Sequence, residues 1–301
     1  MLSMKNNFLN KFFLNYIMYA IFLIAYPSNL YPQNSNFAEY GTIKKFEFKN
    51  APFPHKLRAD GHSYDGKFYS AEDHYQDSTV LIFIPDYFKL GDSVDYVFYF
   101  HGWRINIDTA LAKFNLIEQF YNSRKNAVFV FPEGPKNSPD SFGGKLEEKD
   151  KFHDLVGEMN VELGKIFKTQ IKTGNITLAG HSGAYRVIAY ILLNGGLSDR
   201  IKNVILFDAL YADTEKFSYW IDHFKGKFID IFTEHGGTKS ESENLMNCLT
   251  GWGIPYQFIN SDDFTIDQLK THKIIFISSS LAHSQVISTK DQFCKFLQAA
   301  N

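Results

Sequence analysis

Ser182 lies between a short apolar run and a longer apolar segment, in the sequence ITLAGHSGAYRVIAYILL. The small residues Gly180, Gly183 and Ala184 around it permit a sharp strand-to-helix turn, which would raise the serine hydroxyl above the edge of a sheet. A helix that starts here would offer free N–H groups and partial positive charge to an anion. The pattern therefore indicates a nucleophilic serine, with a serine that only caps the helix as the alternative interpretation.

From residue 95 onward, short apolar runs alternate with segments long enough for helices. The runs contain β-branched and aromatic residues without strict alternation, which is typical of strands buried on both faces of a parallel sheet. Predicted strands cover residues 96–100, 127–131, 176–179, 204–207, 228–232 and 274–277. Predicted helices cover residues 108–120, 152–167, 184–193, 214–224, 242–249 and 290–297. This order predicts an α/β fold with a mostly parallel central sheet and helices on both faces.

An N-terminal antiparallel β segment is expected before this α/β core. Residues 42–48 and 78–84 are predicted strands. The polar stretch 60–77 between them is typical of a hairpin connection with some strand of its own. Together with the core, this segment is expected to form a single domain over residues 37–301.

The sequence Gly180-His181-Ser182-Gly183-Ala184 resembles the nucleophile elbow, G-x-S-x-G, of the α/β-hydrolases, with alanine in place of the last glycine. Alanine keeps a small residue where the helix packs closely against the strand. The resemblance implies an esterase-like serine hydrolase. In such an enzyme the acyl group is transferred to Ser182 and then released by water, and no cofactor is required.

A second motif, His101-Gly102-Trp103, directly follows the predicted strand 96–100. It is similar to the HG-type motif that the α/β-hydrolases carry upstream of the elbow. The resemblance implies that the backbone N–H of Trp103, or that of Gly102, forms the oxyanion hole together with the N–H of Gly183. His101 would then hold this loop rather than take part in the chemistry.

His283 follows the last predicted strand and precedes the C-terminal helix, where the α/β-hydrolases carry the general base of the serine. The resemblance implies that the acid that orients this base lies between the serine and the histidine in the chain, which leaves Asp208 and Glu234 after successive predicted strands. We favour Asp208, because it is the only charge in VILFDAL and a carboxylate at a buried strand end needs a partner. Glu234 lies in the polar sequence TEHGGTKSE, and Asp213 is a third option.

The Pro- and Gly-rich stretch 131–146 follows a strand at the edge where ligands bind such sheets. We expect it to form a wall of the substrate pocket, with an ordinary solvated loop as the alternative. An ester is the default substrate. A peptidase or amidase with the same triad, and a noncatalytic exported binding protein, both stay open because a fold alone does not fix the substrate.

Composition limits the partners of the chain. The formal net charge is −2 over 301 residues, so no broad electrostatic field indicates a nucleic-acid partner. The expected partner is a small-molecule or peptide acyl substrate. One polar set in the N-terminal segment could suggest a metal site, but its irregular spacing favours a polar hairpin. This set comprises His62, Asp65, His74 and Asp77.

Residues 1–36 are predicted to be a secretory signal peptide and disordered leader. Lys5 and Lys11 precede an apolar run over 12–26, which Pro27 ends. This run is shorter than the ~20 residues of a membrane span. We therefore expect a secreted or periplasmic protein, with a membrane anchor formed by an uncleaved leader as the alternative.

The sequence contains two cysteines, Cys248 and Cys294, which have neither a metal-type spacing nor a CxxC spacing. In an exported protein they could form a disulfide between two helices. Two ordinary core thiols are the alternative.

Overall fold

The computed structural model describes residues 37–300, which belong to one compact unit. The predicted signal peptide and leader, residues 1–36, lie outside the described residues. Their assignment therefore stays a prediction.

A nine-stranded sheet forms the centre of the described part, with the strand order β1-β4-β6-β5-β7-β8-β9-β11-β10. Its strands are β1 (Gly41–Glu47), β4 (Thr79–Pro85), β5 (Val94–Phe100), β6 (Val128–Pro132), β7 (Thr173–His181), β8 (Ile201–Phe207), β9 (Lys227–Thr233), β10 (Gln257–Asn260) and β11 (Ile274–Ser279). The strands from β6 to β10 in this order pair in parallel. The β1–β4 and β4–β6 pairs are antiparallel. The predicted mostly parallel sheet with an N-terminal antiparallel segment is thus confirmed.

A separate antiparallel hairpin of β2 (His62–Tyr64) and β3 (Lys67–Tyr69) lies within the predicted hairpin connection. The helices are α1 (Ala71–His74), α2 (Ile107–Phe114), α3 (Leu116–Asn122), α4 (Lys151–Phe167), α5 (Tyr185–Asn194), α6 (Thr214–Phe224), α7 (Lys239–Gly251), α8 (Ile266–Thr271) and α9 (Gln292–Ala299). Short 3₁₀ turns connect several of these elements.

Both faces of the sheet are covered by helices, which explains why its strands lack an alternating pattern. In β5 the side chains of Tyr96 and Phe98 join a core cluster that includes residues of α4 to α7. The side chains of Val97 and Tyr99, which point to the opposite face, join a second cluster with residues of α2, α3, α8 and α9. Both faces of such a strand are buried, so apolar residues follow one another along it.

The helix predicted to begin at Asp108 is two helices with a different cap. Asn106 is the N-cap of α2, and its side chain accepts a hydrogen bond from the Thr109 N–H at 2.9 Å. Asn115 adopts a left-handed conformation with φ of 49°, which ends α2 and starts α3. The Asp108 carboxylate instead accepts from the Lys45 ammonium at 2.6 Å.

Other boundaries also differ from the prediction. The C-terminal helix α9 begins at Gln292 rather than at residue 290, because Lys290 and Asp291 have positive φ angles of 57° and 54°. The elbow helix α5 covers Tyr185–Asn194 instead of the predicted residues 184–193. The edge strand β10 and the short helix α8 were not predicted.

Asp230 is a carboxyl group buried in the middle of β9, where it is 0% exposed. The Ser242 hydroxyl donates a hydrogen bond to its Oδ2 at 2.6 Å, while its Oδ1 has no partner. Burial raises the pKa of Asp230 to about 7. The native state therefore binds a proton between about pH 4 and about pH 7 that the unfolded chain has released, and stability falls as the pH rises through this window.

Replacing Asp230 by asparagine is expected to remove that dependence. The free energy of unfolding of the wild type should fall by up to ~1.4 kcal/mol per pH unit from this one group, and the variant should lack this part of the slope. Chemical denaturation at pH 5 and at pH 7 measures it. Asp199→Asn, at an exposed carboxylate, is the control. The same slope in Asp230→Asn and wild type would contradict the assignment.

The two cysteines are free thiols, Cys248 exposed on α7 and Cys294 buried on α9. The core-thiol interpretation therefore fits Cys294 and is wrong for Cys248. Over residues 37–300, no helix has the length and apolar character needed to cross a bilayer.

Candidate active site

The elbow around Ser182 has the tight geometry that its small residues predict. Strand β7 ends at His181, Ser182 has a φ of 56°, and a 3₁₀ turn over Ser182–Ala184 leads into α5. A methyl group at Gly180 would lie only 2.8 Å from the Ala184 side chain. The strand and the helix are therefore too close for larger residues, and the serine occupies a strained backbone position.

The HG motif lies against this elbow. A side chain at Gly102 would begin 2.5 Å from Ser182 Cβ and 3.1 Å from its Oγ, so the backbone of this loop passes directly beside the hydroxyl. A side chain at Gly183 would begin 2.5 Å from the Trp103 ring. The structure thus brings together the residues predicted to supply the oxyanion hole, whose role in binding an anion stays a prediction.

Replacing Gly102 by alanine is therefore expected to lower kcat by about a hundredfold or more while the fold is kept. The added methyl group displaces either the loop or the serine, and both must be in register for an oxyanion to be bound. Steady-state kinetics with a p-nitrophenyl ester measures the effect. Gly157→Ala, on helix α4 where a methyl group meets no atom within 4 Å, is the matched control. Equal activity of Gly102→Ala and wild type would contradict this placement.

His101 contacts both the HG loop and the residues that follow β6, and its holding role stays a prediction. Its side chain is buried, and Nδ1 lies 2.7 Å from the Gly102 carbonyl oxygen. On the other side of the ring, Nε2 accepts from the Gly134 N–H at 3.0 Å and lies 2.9 Å from a Glu133 carboxylate oxygen. The ring therefore connects the ends of β5 and β6.

The structure brings His283 and Asp208 into direct contact. The Nδ1–H of His283 donates to Asp208 Oδ2 at 2.6 Å. Asp208 is fully buried and also accepts from the Thr233 N–H at 3.1 Å, from the Thr233 hydroxyl at 2.8 Å and from the Thr238 hydroxyl. Burial acts to raise the pKa of Asp208, but the hydrogen bonds from His283, Thr238 and Thr233 outweigh it and lower that pKa. A charged Asp208 keeps the proton on Nδ1 and leaves Nε2 as the acceptor.

The other two carboxylates considered from the sequence lie in different surroundings. Glu234 is exposed, and its backbone N–H rather than its side chain contacts the end of β11 at Ser279. Asp213 accepts from the Lys216 ammonium at 2.6 Å. The geometry therefore favours Asp208 as the partner of His283.

His181, named from the sequence only as part of the elbow, also contacts His283. Its ring centroid lies 4.5 Å from that of His283, and its Nε2–H donates to the His283 backbone oxygen at 3.0 Å. Burial lowers the pKa of His181 to about 3, and the nearby His283 acts in the same direction. A neutral His181 therefore fixes the loop of the predicted base without adding a charge beside it.

Tyr211, Thr233 and Thr238 were missed by the sequence reasoning. The two threonines come from the end of β9 and the loop after it, and reach Asp208 only through the fold. The Tyr211 hydroxyl donates to the Gly236 carbonyl at 2.7 Å in the same loop. Burial raises the pKa of Tyr211 to about 12, which a hydrogen bond with Ser182 partly opposes. Tyr211 could have been considered from the sequence, since it lies close to Asp208 in FDALY.

Ser182 and His283 line the same cavity, which has a volume of about 250 Å³ and also includes the Trp103 side chain. The stretch 131–146, predicted as a pocket wall, lies next to the elbow. Its Ser141 hydroxyl accepts from the Trp103 indole N–H at 2.7 Å, and residues 140–143 line a second small cavity together with Gly183. The predicted nucleophile, base and acid thus converge at the carboxyl edge of the parallel sheet, as ligand sites in such sheets do.

Comparison with known proteins gives similarity in structure but not in sequence. No family model and no curated protein matches the chain. The chain is similar in structure to a mutant of the feruloyl esterase module from Clostridium thermocellum complexed with sinapinate, at 10% identity over 89% of each chain and a TM-score of 0.52. It is also similar to a ferulic acid esterase, at 10% identity over 74% of this chain and 92% of that chain, with a TM-score of 0.50. This likeness shows that the chain has the α/β-hydrolase fold.

Proposed function

We propose that the chain is a serine hydrolase that cleaves a carboxylic ester through an acyl-enzyme on Ser182. The observation that carries the proposal is the Asp208–His283 hydrogen bond of 2.6 Å beside a cavity that Ser182 shares. A serine on a strained turn, an imidazole and a buried carboxylate in this order along the chain are the parts that acyl transfer requires.

In the proposed reaction, Ser182 Oγ attacks the ester carbonyl carbon while His283 Nε2 accepts the hydroxyl proton. The N–H groups of Gly183 and of Trp103 or Gly102 stabilise the oxyanion that forms. His283 then gives its proton to the leaving alcohol, and the carbonyl re-forms as the acyl-enzyme. A water molecule, deprotonated by the same imidazole, releases the acid and regenerates Ser182. Asp208 keeps the imidazole oriented and stabilises its charged form.

An ester is proposed as the substrate because both similar structures named above are described as esterases. The same residues could cleave an amide, since the fold does not define the leaving group. A set of p-nitrophenyl esters of short acids and a set of peptide p-nitroanilides test this choice, because hydrolysis of each releases a coloured product, p-nitrophenolate or p-nitroaniline. Turnover of the esters is expected. Turnover confined to the anilides would reject the esterase and favour a peptidase, and no turnover of either set would favour a noncatalytic binding protein.

We also propose that the protein is exported, on the basis of the apolar run and lysines within residues 1–36. Expression of the full chain in a bacterial host, followed by N-terminal sequencing of the periplasmic and secreted fractions, tests the proposal. A new N-terminus shortly after residue 26 is expected. Retention of the intact chain in the membrane fraction would favour an uncleaved anchor instead.

A further inference from the structure

Two cationic side chains, those of Arg104 and Lys113, line the cavity that contains Ser182 and His283. Arg104 directly follows Trp103, and Lys113 lies in the last turn of α2. Both are exposed to solvent. The cavity therefore presents two positive charges beside the proposed nucleophile.

Neither cation is neutralised by an acidic side chain within residues 37–300. The Lys113 ammonium lies 5.4 Å from the centroid of the Phe114 ring, and the Arg104 side chain makes no hydrogen bond or ion pair in this part of the chain. The cavity lining itself contains no Asp or Glu.

The acidic residues of the surrounding elements contact other side chains instead of Arg104 and Lys113. Asp108 on α2 pairs with Lys45. Glu133 after β6 lies against His101. Asp208 is buried behind His283, where its oxygens accept hydrogen bonds from that ring and from two threonines. The positive charge at the cavity is thus left for a group that enters from solvent.

We propose that Arg104 and Lys113 bind an oxyanion carried by the ester substrate, such as a carboxylate close to the scissile bond. This inference rests on the proposed function and adds the substrate class. A guanidinium presents paired N–H donors that match a carboxylate, and an ammonium adds a second charge-assisted hydrogen bond. The anion that is bound in this way holds the ester carbonyl at Ser182, so the effect is expected in kcat/KM.

Two matched ester pairs test the proposal. The first pair places a carboxylate on the leaving group and compares 4-acetoxybenzoate with its methyl ester. The second pair places it on the acyl group and compares mono-p-nitrophenyl glutarate with p-nitrophenyl butyrate. For at least one pair, the wild type should show a kcat/KM about tenfold higher for the anionic ester. The preferred pair identifies the side of the substrate that carries the charge.

The selectivity should depend on the two cations and on salt. Arg104→Gln and Lys113→Gln should each lower the ratio of anionic to neutral kcat/KM several-fold, and the double variant should lower it further. Arg104→Lys, which keeps the charge, should retain part of the ratio. The ratio should also fall between 0.02 M and 0.5 M NaCl, since exposed charges are screened. Lys165→Gln, on the exposed face of α4 where Lys165 pairs with Glu162, is the control and should keep the wild-type ratio.

The outcomes separate this inference from the proposed function. Equal kcat/KM values within both pairs, or a ratio that Arg104→Gln and Lys113→Gln leave unchanged, would overturn the anion site while ester hydrolysis at Ser182 stands. Absence of turnover for all four esters, together with no labelling of Ser182 by a fluorophosphonate, would overturn both.

Discussion

Replacing Ser182 by alanine is expected to reduce ester turnover by about a millionfold. The variant keeps the buried elbow, because alanine fits wherever serine does, but it loses the atom that becomes acylated. Only the slow reaction supported by the oxyanion-binding N–H groups should remain. Initial rates with a p-nitrophenyl ester measure the loss, and the near-ultraviolet circular dichroism spectrum establishes that the fold is unchanged.

A suitable control for this variant lies beyond the end of the elbow helix. Ser198 follows α5, and its hydroxyl donates to the Leu192 carbonyl at 2.7 Å, remote in sequence from the elbow. Ser198→Ala should keep the wild-type rate within a few-fold. If Ser182→Ala hydrolysed esters as fast as Ser198→Ala, Ser182 would not be the nucleophile.

Replacing Asp208 by asparagine is expected to lower kcat by about 10,000-fold. In the wild type, the Asp208 carboxylate accepts hydrogen bonds from the His283 Nδ1–H and from Thr233 and Thr238, so donors face both of its oxygens. An amide must turn its NH₂ toward one of these donors. His283 would then take the opposite tautomer, with the proton on Nε2, and could not accept the proton of Ser182.

The two other carboxylates supply matched controls for Asp208. Glu234→Gln and Asp213→Asn remove the same charge, yet Glu234 is exposed and Asp213 pairs with Lys216. Both variants should keep kcat within a few-fold of the wild type. A small loss in Asp208→Asn combined with a large one in Glu234→Gln would transfer the orienting role to Glu234.

The parallel core could be predicted because strands buried on both faces have consecutive apolar residues in the sequence. Runs such as YVFYF and VILF contain apolar residues at consecutive positions, and each is a strand of the sheet. The edge strand β10 has no such run, since only Phe258 and Ile259 are apolar in its sequence QFIN and Phe258 is 50% exposed. The break at Asn115 was missed because a left-handed residue between two apolar turns hardly alters the helical pattern.

The candidate site could likewise be predicted only in part. Ser182, His283 and Asp208 could be proposed because each follows a predicted strand, and the carboxyl ends of parallel strands meet at one edge. Their supporting contacts are tertiary. The contact between the His181 and His283 rings and that between the Thr238 hydroxyl and Asp208 join segments far apart in the chain, and no spacing rule relates them.

Gly236 can be read from the sequence, but only the structure explains why a glycine occupies this position. A methyl group at this position would lie 2.0 Å from Asp208 Oδ2. Gly236, in the polar sequence TEHGGTKSE, must therefore lack a side chain for the loop to close over the buried carboxylate.

The most direct test of acyl transfer at Ser182 is mass-spectrometric mapping of the protein after reaction with a fluorophosphonate. Such a reagent phosphonylates a serine hydroxyl that a neighbouring base activates. A single adduct on the peptide that contains Ser182 is expected, and it should be absent in His283→Ala. An unmodified Ser182 after prolonged reaction of the folded wild type, or an adduct on another serine only, would contradict the account.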